Sequence, residues 1–141
     1  MKSRLIGAMV LSFLTLSSEI ALAQDLASQL VGVWKQTGAV DKYVEGGATK
    51  NRGPGGAAIF SRGGFFSHTF DKTGFFSTGT YKFQGDAVVI RIDASSAPQL
   101  VGEERRPTMK IADGVLTWTS APVKDWDGKA YYVIFTLEKL E

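Results

Sequence analysis

The segment FFSTGTYKFQGDAVVIRID, from Phe75 to Asp93, holds two apolar runs on either side of Gln84-Gly85-Asp86. Side chains alternate across a strand, so Gly79, Tyr81 and Phe83 share one face of the first run, and Val88, Ile90 and Ile92 share one face of the second. A glycine flanked by polar residues between two such runs signals a tight turn, and the runs fold back as antiparallel neighbours. Neither carries the spacing of a helix.

The same pattern recurs outward from this hairpin in both directions. Toward the C terminus, Glu103 to Ile111 and Val115 to Ser120 flank Asp113-Gly114, and Ala130 to Lys139 sets Tyr131, Val133, Phe135 and Leu137 on one face. Toward the N terminus, Ala57 to Arg62 and Phe65 to Phe70 meet at Arg62-Gly63-Gly64, while Lys72-Thr73-Gly74 leads into Phe75. Val31 to Thr37 opens the series, with a further short strand at Val40 to Val44 and a helical turn at Leu26 to Leu30 before it. Parity places Phe66 with His68 and Phe70, and Leu116 with Trp118. These short strands predict an all-β fold, an antiparallel up-and-down β-barrel of about eight strands with a short N-terminal helical turn. Closure removes the unpaired edges that an open sheet exposes. A two-sheet sandwich is the alternative.

Composition narrows the chemistry. The chain has 141 residues, 44% hydrophobic and 21% charged, a globular balance with room for one core. Its formal charge of +2 supplies no field for gripping a phosphate backbone, which speaks against nucleic acid as a partner. With no cysteine there is no disulfide, thiolate metal site or cysteine nucleophile, and a single histidine removes multi-histidine metal chemistry. No cofactor is expected.

The N-terminal segment has the three regions of a secretory signal: Lys2 and Arg4, then the apolar run Leu5 to Leu16, then Ala21-Leu22-Ala23 with small residues where signal peptidase reads. The apolar run is shorter than the roughly 20 residues needed to cross a bilayer. Residues 1–23 are therefore expected to be a cleaved signal peptide and 24–141 the mature domain, periplasmic or extracellular. A lipid anchor would require a cysteine, so no membrane anchor is expected.

Leu30-Val31-Gly32-Val33-Trp34 resembles the Gly-x-Trp opening of the lipocalins and, more closely, that of the bacterial lipocalin-like domain family. Later segments are similar to that family in the same order: Gly56 to Gly64, Gly79-Thr80-Tyr81 followed by Gly85-Asp86, Ser95 to Glu103 with an arginine after it, and Asp113 to Leu116. The resemblance runs from Leu30 to about Leu140. It implies a calycin-type barrel around a ligand cavity, with Gly32 and Trp34 as a structural motif and Trp34 packed at the closed end. It also implies a late basic residue lying on that tryptophan, for which Lys139 is the candidate. The family pattern places one arginine after the Val-Gly turn; here Arg105 and Arg106 are adjacent and Pro107 follows.

Few residues carry candidate chemistry. A serine triad would have to use His68 with Ser95 or Ser96, but no Gly-x-Ser-x-Gly elbow is present, and His68 reads as facing the core or the cavity. Nor does His68 stand at a metal-ligand spacing from other donors. The stretch Gly46 to Gly56 has no Gly-Lys-Ser/Thr ending and no helix after it, so it reads as a loop at the barrel mouth and not as a phosphate cradle. If Met109 and Ile111 face inward, parity carries Arg105 in with them and leaves Arg106 in water. An inward guanidinium needs a partner, either Glu103 or the acidic end of a ligand. The expected ligand-binding residues are Arg105, Tyr81, Trp118, His68, Phe66 and Phe70, with Arg105 beside Tyr81 and Trp118.

The sequence thus predicts an exported lipocalin-like protein that binds a small, mainly apolar or amphipathic molecule in its cavity. Two alternatives stay open: a barrel enzyme of cyclase or isomerase type using Arg105, Tyr81 or His68, and a packed barrel acting through its surface in an envelope assembly. Cleavage after Ala23 is checked by intact mass. The exported protein should match residues 24–141, and a full-length mass in that fraction would refute the assignment.

Overall fold

The computed structural model describes residues 25–140, so the expected signal peptide, residues 1–23, lies outside the described residues. Residues 25–30 form the short helical turn. Eleven strands come after it among the described residues: β1 (Gly32–Tyr43), β2 (Lys50–Asn51), β3 (Ala57–Phe60), β4 (Phe65–Phe70), β5 (Phe75–Gln84), β6 (Ala87–Ser95), β7 (Glu104–Arg105), β8 (Thr108–Ala112), β9 (Val115–Thr119), β10 (Val123–Lys124) and β11 (Ala130–Lys139).

They make one antiparallel sheet in the order β7-β6-β5-β4-β3-β1-β11-β9-β8, with β2 added to β1 and β10 to β11. The all-β fold and the antiparallel meander are as the sequence predicts, and the sheet curls into a half-barrel. Its hydrogen-bonded path ends at β7 and β8, which are consecutive in the chain and separated only by Arg106 and Pro107. The expected single strand from Glu103 to Ile111 is therefore two. Proline has no N–H to give a ladder. Upstream of it Arg105 pairs with Ile90 of β6; downstream of it Met109 pairs with Trp118 of β9.

The two strands expected at Val31 to Thr37 and Val40 to Val44 are one. Gln36 faces Leu137 and Gly38 faces Thr136, which leaves Thr37 as the extra residue of a β-bulge. The bulge reverses parity: Trp34 and Gln36 are buried before it, Ala39 and Asp41 after it. A second irregularity lies between β5 and β6, where Gly79 opposes Ile92 and Thr78 opposes Ala94. There the backbones press so close that a Cβ on Gly79 would collide with the Arg91 carbonyl.

Beneath residues 25–30 the interior is filled. Trp34, Leu30, Ala58, Leu116 and Leu137 are wholly buried. The Trp34 indole donates to the Leu30 carbonyl at 2.8 Å, and the Lys139 ammonium lies 5.3 Å from the ring centroid while donating to the Gln29 carbonyl at 2.9 Å. Gly32 makes room for this lysine: its φ is +145°, and a Cβ there would stand 2.7 Å from Lys139 Cε. Trp34 of β1 and Lys139 of β11 thus tie the helical turn to the two paired strands in the middle of the sheet.

Truncating such a residue leaves a large void and an orphaned carbonyl. Trp34→Ala should cost about 3–5 kcal/mol, a large share of a small domain's stability. Urea unfolding checks this; an unchanged midpoint would mean that the indole carries no packing.

Candidate functional site

The inward faces of β4, β5, β6, β9 and β11 continue past the filled region and line a cavity of about 480 Å³ that is open on one side. Phe66, Phe70, Phe75, Ile90, Ile92, Trp118, Val133 and Phe135 make its apolar wall. Thr73 of the β4–β5 turn, Ser96, Ala97, Gln99 and Leu100 after β6, and Val123 and Lys124 of β10 also line it. Each wall residue stands on the apolar parity of its strand, so alternation alone delivers the lining.

His68 is the polar centre of this wall. Its ring is 4.8 Å from Phe135, 4.9 Å from Trp118 and 6.0 Å from Phe75, and its Nε2 is 3.2 Å from Oε1 of the wholly buried Gln36. Burial pushes its pKa down to about 4, so the ring is neutral near pH 7. A neutral imidazole offers one donor and one acceptor, and Gln36 takes one of them. Neither Ser95 nor Ser96 bonds to it; both hydroxyls are turned to the Phe76 carbonyl.

Two guanidinium groups reach the cavity. Arg105 lines it, and its Nη1 donates to Glu103 Oε2 at 2.6 Å. Arg106 points away and donates to Gln84 Oε1 at 2.8 Å. Arg52 also lines it, with Nε 2.8 Å from Oδ1 of Asp41, which is buried.

Five of the six residues expected in the site, Arg105, Trp118, His68, Phe66 and Phe70, line this one cavity. Tyr81 does not. Its hydroxyl donates to the Ser61 carbonyl at 2.6 Å and its ring meets Phe60 edge-on at 5.2 Å, in the filled half of the sheet. Parity fixes the face a side chain takes but not its height along the strand. On the same face of β5 it is Phe75 and Ser77 that reach the cavity. Tyr81 and Arg105 pair with Ile90 from either side, two strands apart, and of the two only Arg105 lines the cavity.

Three residues were missed. Gln36 shares the parity of Trp34 and was legible from it. Asp41 lies beyond the bulge, which reverses its face. Arg52 comes from the glycine-rich stretch, where no alternation assigns a direction; one residue of that loop is part of the cavity wall.

Among the described residues no cluster of His, Asp and Glu is arranged to hold a metal, and no helix is long and apolar enough to cross a membrane. Neither models of protein families nor curated proteins give a match to this sequence. The chemistry of the site has to be taken from its own residues, and they offer an aromatic enclosure, a neutral imidazole and two paired guanidinium groups.

The depressed pKa of His68 makes stability depend on pH. The unfolded histidine takes a proton near pH 6.5 and the native one only near 4, so the unfolded state binds more protons in between. Stability should therefore fall as pH drops through that window, by about 3 kcal/mol in all. Unfolding midpoints at several pH values, compared with His68→Leu to subtract the carboxylates, should show this share missing from the variant. His68 is the sole histidine, so NMR reads its titration directly. A native pKa near 6.5 would show the ring to be solvated.

Proposed function

We propose that the protein is an exported lipocalin-like carrier that holds one small, mainly apolar or amphipathic molecule in this cavity. The observation that carries the reading is the cavity itself: about 480 Å³ walled by aromatic and aliphatic side chains, within the size range of sites for small organic molecules. Its wall is a concave, mainly apolar surface open on one side, the form of site that small organic molecules enter. In this reading the half-barrel is a lipocalin-type barrel in which β7 and β8 are joined through Arg106-Pro107 and not through a ladder. The Gly32, Trp34 and Lys139 arrangement supports the family resemblance, as the place of a Gly-x-Trp tryptophan under a late basic residue.

Binding is tested with phenylnaphthylamine, a neutral dye whose emission rises in apolar surroundings. Saturable one-to-one binding is expected, with transfer from Trp118 to the dye. Ile92→Trp fills the cavity from β6 and should weaken binding at least about tenfold, at a stability cost of roughly 1–3 kcal/mol for overpacking. Equal binding by the filled variant would place the dye elsewhere and overturn the reading. Solvent extraction of the protein from its exported fraction, followed by mass spectrometry, then identifies the natural occupant.

A further inference from the structure

The two guanidinium groups of the cavity are paired in unlike ways. Asp41, the partner of Arg52, has a side chain only 8% exposed, and leaving the pair would strand a buried carboxylate. Opening that pair is the costlier of the two. Glu103, the partner of Arg105, has a side chain 48% exposed, so its carboxylate can turn into water at little cost. Its backbone need not move: the Glu103 N–H is held by the Leu100 carbonyl and its own carbonyl accepts from Ile92. The Arg105 side chain is 19% exposed, lines the cavity, and gives Glu103 a single terminal nitrogen. A guanidinium carries five N–H donors in a planar fork, which leaves the remaining donors for a second acceptor.

From this asymmetry we infer that Arg105 is an exchangeable anion site, which Glu103 occupies as an internal stand-in and yields to the carboxylate or sulfonate of an organic anion whose apolar body fills the cavity. The inference rests on the carrier reading and names its ligand class. It assigns Glu103 a regulatory part, because the rim carboxylate competes with every anionic ligand and leaves neutral ones unaffected. Arg52 takes no part in the exchange, since its partner is buried and costly to strand.

Two dyes with the same rings separate these claims: anilinonaphthalene sulfonate, and phenylnaphthylamine, which lacks only the sulfonate. Glu103→Gln should tighten the sulfonate about fivefold, the upper end of what a solvent-exposed ion pair is worth, and leave the neutral dye within about twofold. Arg105→Met should weaken the sulfonate about tenfold or more and again spare the neutral dye. Arg106→Met, on the outer face, should change neither. If Glu103→Gln leaves the sulfonate unchanged, or Arg105→Met does, the exchange is overturned while neutral-dye binding keeps the carrier reading intact. If the wild-type protein fails to bind the neutral dye, the carrier reading fails and the exchange with it.

Discussion

Thr37 is the residue on which the interior of this sheet turns. A regular strand gives one face to residues of one parity, and Trp34 and Asp41 have opposite parities. Both face inward because the bulge at Thr37 inserts one unpaired residue between Gln36 and Gly38. The first half of β1 therefore packs Trp34 under the helical turn, and the second half presents a carboxylate to the glycine-rich loop, which Arg52 ties down. Without that extra residue the second half of β1 would turn Asp41 to solvent, and the cavity would lose the anchor of its loop wall.

The filled half and the open half depend on each other. Side chains on a concave wall open to solvent make fewer dispersion contacts than side chains in a closed core. Here that deficit is offset at the other end, where Trp34, Phe60, Phe66, Leu116 and Leu137 are packed with almost no exposed surface and the Trp34 indole is hydrogen-bonded. Phe66 belongs to both regions: it stacks on Phe60 in the core and lines the cavity. The close-packed floor sets the position of the wall residues above it.

Polar groups of the interior follow a gradient of exposure. At the deepest point His68 and Gln36 are both uncharged, as the cost of burying an ion dictates. Farther out, Asp41 is charged but fixed to Arg52. At the rim, Glu103 and Arg105 are charged and partly wet. The gradient is carried by the carboxylates, Glu103 being 48% exposed and Asp41 8%, so the Glu103 pair is the easier one to open and the chemistry that a ligand meets depends on how deep it reaches.

Alternation of side chains along each strand is a local property, and its consequences were legible in the residues alone: the strands from β3 to β6, β9 and β11, the shared face of Phe66, His68 and Phe70, and the division of Arg105 from Arg106. The break between β7 and β8 had a signal in Pro107, because a missing N–H is visible in sequence, although the apolar alternation across it reads as one strand. Tyr81 shows the limit, since parity chose its face correctly while its height along β5, which decides between core and cavity, depends on how strands stagger against one another. Asp41 was hidden by a bulge whose mark in the sequence, Gly38, reads equally as a break between two strands, and Arg52 by a glycine-rich stretch that has no period to read. Faces are set by bonds within a strand, whereas heights, bulges and loop positions are set by contacts between residues far apart in the chain, and only the tertiary structure decides those.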